Sequence, residues 1–232
     1  MRIALTSISP KHSMAHAQPL SVQSWIDNGF KVISLNSPKE ISVLHDQFPN
    51  VEFVECWRTM EGLFKAPYVP ISAFIDYAKE KAFESVMLIN SDIVIKDNSG
   101  NLAKYFEWSV NGLVIANRED HNGDFAPSVR YQLGFDAFIV HSKFYPVICQ
   151  SMFSMGQTWW DYWLPYRFIK QGKEVVYVRE PIFYHQRHAV QYDHNEWAFM
   201  TRYFQWVEGY RERITPQQAT SEVYQFIRKN IK

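Results

Sequence analysis

The strongest constraint on this chain is the order of elements in its first hundred or so residues, where short apolar runs alternate with amphipathic stretches. Arg2 to Ile8 reads as a short buried strand. Pro19 to Asn28 carries Leu20, Val22, Trp25 and Ile26 at roughly helical spacing, and Gly29 is a natural stop. Lys31 to Leu35 is a β-branched run and predicts a second strand. Ser37-Pro38-Lys39-Glu40 is a capping box with proline at the first helical position, so a helix starts there, runs to Phe48 and stops before Pro49. Val51 to Cys56 alternates apolar and acidic residues, which predicts an edge strand with one wet face. After a loop over Trp57 to Val69, a helix begins at Pro70 with Ile71, Phe74, Ile75, Ala78 and Ala82 on one stripe. Val86 to Ile89 is apolar throughout, the pattern of a strand buried on both faces in the middle of a parallel sheet. The order βαβαβαβ predicts an α/β, doubly wound, Rossmann-like half.

The second half is less regular. Helices are expected over Leu102 to Val110, Lys143 to Phe153, Trp160 to Lys170 (ended by Gly172), Glu196 to Tyr210 and Ser221 to Ile231. Short strands are expected over Gly112 to Ala116, Ala137 to Val140, Val175 to Val178 and Ile182 to Tyr184. Arg118-Glu119-Asp120-His121-Asn122 reads as a polar loop able to close over a substrate. No repeat, low-complexity tract or Gly/Ser linker marks a boundary. The expectation is a single domain over 1–232: a first half of about 1–100, a second of about 101–195 and a helical segment of about 196–232.

Composition excludes several classes. Lys+Arg and Asp+Glu total 24 each, so the formal net charge is zero, which argues against a nucleic-acid coat or a polybasic membrane binder. Cys56 and Cys149 make neither a disulfide framework nor a zinc knuckle. The first residues turn polar after Ile3-Ala4-Leu5, unlike a signal peptide, and no run approaches the length of a membrane span. A cytoplasmic protein without integral membrane association is therefore expected. Aromatic residues make up 16% of the chain, enough to serve both a core and a sugar- or base-binding cleft.

The buried fourth strand ends in Asn90-Ser91-Asp92. In open α/β sheets ligands gather at the carboxyl ends of strands. An Asp there can hold Mg²⁺ or Mn²⁺, which favour oxygen ligands and commonly bridge a carboxylate to substrate phosphates. The structural alternative is an Asx turn. Strand-Asn-Ser-Asp resembles a variant of the Asp-x-Asp motif of GT-A glycosyltransferases, with Asn in the first position. Gly134-Phe135-Asp136-Ala137-Phe138 resembles the Gly-x-Asp-x-Phe segment of a group of these enzymes. Trp160-Asp161-Tyr162-Trp163-Leu164 resembles their Trp-Asp-x-Trp-Leu helix start, and Tyr184-His185-Gln186-Arg187-His188 their late His-Gln-x-His. The four stretches occur in the family's order across Ile3 to His188.

The resemblance implies a GT-A-like fold, a Rossmann-like mixed sheet flanked by helices, with an aromatic-rich acceptor half. It implies a metal-dependent glycosyltransferase, with a nucleotide sugar as donor (a UDP-sugar by preference) and Mn²⁺ or Mg²⁺ as cofactor. Asp92 and His185 are the implied metal ligands, with His188 as the other candidate ligand or an acceptor contact. The structural alternative for either histidine is a backbone-bonded interfacial residue. Asp161 is the candidate catalytic carboxylate. It is surrounded by Trp159, Trp160, Tyr162 and Trp163, and aromatic burial raises a carboxyl pKa toward that of a usable general base. Its structural alternative is a helix cap. Asp136 and Trp160 are acceptor-side candidates. Thr6, Ser7, Asn36, Arg58, Lys65, Asn90 and Ser91 are donor-side candidates, the first three placed by topology at strand ends. The stretch Trp197 to Trp206 is expected to pack as an aromatic stripe, with covering of an acceptor cleft as the alternative.

The acceptor stays open among a glycan, a small molecule, a protein and a modified nucleic-acid base, as does the oligomeric state. Two other functions compete: a non-catalytic nucleotide or carbohydrate binder, and a sugar-phosphate nucleotidyltransferase. The latter needs a glycine-rich loop after the first strand, and Ser7-Ile8-Ser9-Pro10-Lys11 holds no glycine.

Overall fold

The computed structural model describes residues 1–11, 16–188, 193–211 and 214–232. The first half alternates as expected: β1 (Arg2–Thr6), α1 (Ala17–Asp27), β2 (Phe30–Asn36), α2 (Pro38–Leu44), β3 (Glu52–Glu55), α3 (Ile71–Glu80) and β4 (Ser85–Ile89). Then follow β5 (Ile93–Ile95), α4 (Leu102–Ser109), β6 (Gly112–Ala116), β7 (Glu119–His121), β8 (Val129–Arg130) and β9 (Ala137–His141). The chain closes with α5 (Trp160–Lys170), β10 (Glu174–Val178), β11 (Phe183–Gln186), α6 (His194–Val207) and α7 (Pro216–Asn230).

Seven strands form the main sheet in the order β10-β6-β9-β4-β1-β2-β3. All run parallel except β9, which is antiparallel to both β4 and β6. The sheet is therefore mixed, and β4 has a parallel neighbour on one side only. Side chains alternate across a strand, so β4 feeds two cores. Val86 and Leu88 join one with Phe74, Trp163, Phe204 and Val223, while Met87 and Ile89 join the other with Trp25, Leu44 and Tyr105. Each face buries apolar area worth roughly 25 cal/mol per Å², which is why Val86 to Ile89 are all apolar and the one polar residue of β4, Ser85, stands at its start. β3 is the sheet edge, with Glu52 and Glu55 exposed. The architecture is consistent with a Rossmann-like, GT-A-type fold. Among the described residues no helix is long and apolar enough to cross a membrane.

Three expectations need correction. Lys143 to Phe153 is not a helix: a 3-10 turn over Ser142–Val147 contains Pro146, which lacks a donor and ends regular structure. The chain beyond it runs extended against the start of α3, where Ile71 N donates to Phe153 O and Met155 N to Val69 O. The final helix starts earlier than Ser221, at a capping box of Thr215 and Gln218 with Pro216 in the first turn. The polar stretch Arg118 to Asn122 is not a mobile loop. Its centre is β7, paired with β11 and β8 in a second sheet of order β5-β11-β7-β8. Its charges are matched by ion pairs, Arg130 Nε to Glu119 at 2.6 Å and Arg118 Nε to Asp120 at 2.8 Å.

Gly112 begins β6 directly opposite Glu174 of β10. A Cβ there would press on the Glu174 carbonyl group. Gly112→Ala is expected to cost about 2–3 kcal/mol by overpacking, lowering Tm by roughly 5–10 °C. A thermal melt checks this, and an unchanged Tm would show that the strand pair separates freely.

Candidate active site

Strand direction alone brings the polar residues together. β4 and β6 end at the edge where antiparallel β9 begins, with Ile89 and Ala116 both in register with Ala137. The turn Asn90–Asp92, the pair Asn117–Arg118 and the segment Gly134–Asp136 thus converge. After the turn, α1 holds β5 in place: Trp25 Nε1 donates to Ile93 O at 2.7 Å, and Ile95 N donates to Ser24 Oγ at 2.9 Å. β11 lies antiparallel to β5 with His185 opposite Ile93, which carries its ring to Asp92.

The result is a cleft of about 640 Å³ at the carboxyl ends of β1 and β4, where strand order reverses. On its floor, Asp92 Oδ2 lies 3.3 Å from His185 Nε2 and 3.8 Å from His188 Nε2. Ligand atoms of all three lie within 4.8 Å of one another. One carboxylate and two imidazoles form a donor set that fits a divalent transition ion such as Mn²⁺ better than Mg²⁺. His185 Nδ1 is in turn 3.0 Å from Asp120 Oδ1, the carboxylate support that orients metal-binding histidines. Burial works against a charged His185, but the bonds to Asp120 and Asp92 outweigh it and raise its pKa to about 9. An arriving cation must therefore displace a proton.

Arg118 binds this group to the rest of the cleft. Its guanidinium reaches Asp120 at 2.8 Å and Asp136 at 2.9 Å. Burial opposes its charge, and the two carboxylates more than restore it. Asn90 Nδ2 donates to the same Asp136 oxygen at 3.2 Å, leaving Asp136 Oδ2 buried without a hydrogen-bond partner among the described residues. Asp161, in the first turn of α5, lines the cleft beside Gly134 and Phe135. Burial first, then the Asp136 charge, raises its pKa to about 7, against hydrogen bonds from backbone amides including Phe135 N. This is the direction its aromatic surroundings lead one to expect.

The other sequence candidates divide by position. Ser7, Asn90, Ser91, Asp136, Trp160 and His188 line the cleft. Ser91 Oγ is 2.8 Å from the Gln18 side chain. Thr6 and Asn36 are fully buried, and Asn36 Nδ2 donates to Ile8 O at 2.8 Å, shaping the loop after β1. Arg58 pairs with Asp76 at 2.9 Å and Lys65 with Asp193 at 3.2 Å, and neither lines the cleft. On α6, Phe204 packs in the core, Trp197 lines the cleft and Trp206 faces solvent.

Sequence reasoning gave Arg118 and Asp120 only a place in a substrate-covering loop and Gly134 only a place in the Gly-x-Asp-x-Phe resemblance, and missed what each does here. A Cβ on Gly134 would lie 2.6 Å from Asp161 Oδ2, and Asn117 Nδ2 donates to the Gly134 carbonyl. For Gly134 the sequence signal was its place at the head of the Gly-x-Asp-x-Phe segment.

No family model matches the sequence, and no curated protein matches it. Among solved structures, TarS of S. aureus aligns at a TM-score of 0.56 and 10% identity, covering 99% of this chain and 43% of TarS. The chain thus spans less than half the length of TarS, and at this identity the likeness is one of fold. HddC of Yersinia pseudotuberculosis (TM-score 0.42, 14% identity, 81% of this chain and 90% of HddC) aligns more loosely. So does the bifunctional IspDF of Campylobacter jejuni (0.45, 13%, 78% and 50%).

Proposed function

We propose that this protein is a metal-dependent glycosyltransferase that moves a sugar from a nucleotide sugar, with UDP-sugars the preferred donors, to an acceptor hydroxyl. The observation that carries the reading is one cleft holding both an Asp92–His185–His188 donor set and, separately, a carboxyl poised near neutral pH at Asp161. The fold it shares with TarS is compatible with the same reading. We read residues 1–232 as one GT-A-like domain of the cytoplasm.

In this proposal Asp92, His185 and His188 hold a divalent cation, Mn²⁺ by preference. When bound, it offsets the charge that develops on a diphosphate leaving group. Asp120 orients His185, and Arg118 fixes Asp120 and Asp136 relative to each other. Asp161, ionised, accepts the proton of the acceptor hydroxyl. That oxygen bonds to the anomeric carbon as the bond from that carbon to the diphosphate breaks, and the nucleoside diphosphate leaves. Asp136 and Trp160 contact the acceptor, and Ser7, Asn90 and Ser91 the donor.

Thermal melts with UDP, GDP, CMP and TDP, each with and without Mn²⁺, test the donor site, because a ligand that binds only the native state raises Tm. A rise with one diphosphate that requires Mn²⁺ is expected. A panel with no Mn²⁺-dependent rise would reject the proposal.

Gly134→Ala tests the placement of Asp161. The new methyl displaces the carboxyl, and a misplacement on this scale costs roughly 100-fold in turnover. Donor binding, read as the UDP–Mn²⁺ melt, should be unchanged. Wild-type turnover in this variant would remove Asp161 from the reaction.

A further inference from the structure

The segment Gly156–Trp159, just before α5, is built at an energetic cost that the fold does not explain. Trp159 holds a left-handed backbone, φ +79°, which is unfavourable for a bulky residue. It is kept there by stacking on Phe204, with ring centroids 4.5 Å apart, and by Nε1 donating to Thr201 Oγ1 at 2.9 Å. Directly before it, Gln157 is only 5% exposed. Both polar atoms of its amide, and Thr158 Oγ1 next to it, are buried without a hydrogen-bond partner among the described residues. Native interiors rarely leave such groups unpaired, since each forfeits its bonds to water. Here three occur in two adjacent residues, and both residues line the cleft that holds Asp161.

The surroundings select the chemistry of what would pair them. Burial pushes the nearby Glu196 carboxyl above its ordinary range, against the pull of the Gln157 amide beside it. Lys65, which also lies near Glu196, is paired with Asp193 at 3.2 Å. Arg118 is committed to Asp120 and Asp136. At this end of the cleft an incoming phosphate or carboxylate would meet the Glu196 carboxyl, whereas the cations lining the cleft, Lys11 and Arg118, belong to other segments of its wall. An amide supplies one donor and one acceptor side by side, and a hydroxyl supplies both, the complement of adjacent sugar hydroxyls. Tyr68, Trp160 and Trp197 add aromatic surface in the same cleft.

We propose that Gln157 and Thr158 recognise the hydroxyl groups of a neutral sugar acceptor, so that the acceptor is an uncharged glycan. The inference rests on the transferase reading above for the word acceptor, and on the orphaned groups for the rest. In the ligand-free protein the amide lies beneath the cleft surface. It turns outward to meet the sugar, exchanging its contact with Glu196 for bonds to the sugar hydroxyls.

Saturation-transfer NMR on the full chain tests this, with methyl glycosides of glucose, galactose and N-acetylglucosamine as neutral probes and glucose 6-phosphate and glucuronic acid as anionic ones. At least one neutral glycoside is expected to bind and the anionic sugars are not. Gln157→Leu should weaken that binding at least about ten-fold, as should Thr158→Val. Gln157→Leu should also raise Tm by roughly 2–4 °C, since it removes an unpaired buried amide; a side chain with a structural role would lower it. Should Gln157→Leu misfold, Thr158→Val carries the comparison. Absence of neutral-glycoside binding, equal binding of the anionic sugars, or unchanged affinity in the folded variants would overturn the proposal. The UDP–Mn²⁺ melt is read on the same samples. Its failure would reject the transferase reading while the sugar result stands or falls alone.

Discussion

Asp161→Asn is expected to lower turnover roughly 100- to 10,000-fold, the range for loss of a positioned general base, while the UDP–Mn²⁺ thermal shift stays at its wild-type value. The carboxyl is the only group of Asp161 that differs between the two side chains in charge, and it lies apart from the Asp92–His185–His188 set. The same substitution should stabilise the protein, with a definite pH dependence. The folded-state pKa, about 7, stands above the ordinary carboxyl value of 3.8. Folding therefore favours the protonated form. Its contribution to stability is complete below about pH 4 and is lost as pH rises through 7. The Tm advantage of the Asn variant should be absent near pH 4, grow through neutrality and level off above it. In the wild type, kcat/KM should rise along the same interval as the base ionises. A variant that is slower and less stable at pH 8 would make Asp161 a structural cap instead.

Asp92→Ala is the second large effect. Asp92 supplies the one carboxylate of the triad, and its Oδ2 is the atom that both His185 and His188 approach. Without it two imidazoles remain, one of them already held near Asp120. Loss of a supporting residue around a metal typically costs 10–100-fold in affinity, so removal of a direct ligand should weaken Mn²⁺ by roughly 100-fold or more. Calorimetric titration of Mn²⁺ into the protein measures this without any assay of activity. Turnover with a UDP-sugar should fall in parallel, and excess chelator should mimic the variant in the wild type. An unchanged Mn²⁺ titration would move the site away from the end of β4.

The two effects are separable because the cleft keeps its two kinds of acid apart. Asp92 sits against the imidazoles of His185 and His188. Asp161 sits against apolar and aromatic surface, where burial and the Asp136 charge hold its proton. One fold edge thus offers a carboxylate–imidazole set for a cation and a titrating carboxyl for a hydroxyl proton.

Local patterns carried much of this information. The alternation in the first half, the capping box at Ser37, the two-faced burial of β4 and the span of α5 all follow from periodicity and caps, which act over a few residues. The turn at Asn90–Asp92 was legible for the same reason: it closes an apolar strand, and such ends face ligands. Its relation to His185 entered only through the family resemblance, not through any local pattern. The two are far apart in the chain, and only the antiparallel pairing of β11 with β5 brings His185 opposite Ile93. Asp120 was invisible because a run of charged residues reads as a wet loop. Tertiary ion pairs with Arg118 and Arg130 let that run form a half-buried strand instead. Gly134 carried no local sign of its role, since the atom it must avoid belongs to Asp161. Lys143 to Phe153 failed in the opposite sense, as an apolar period that Pro146 and the pairing near Val69 overrode. Element type and order are written in short-range spacing, because backbone geometry and burial repeat every two or 3.6 residues. Which side chains meet in the cleft was decided by strand order and direction, because a sheet joins residues through space that the chain keeps far apart.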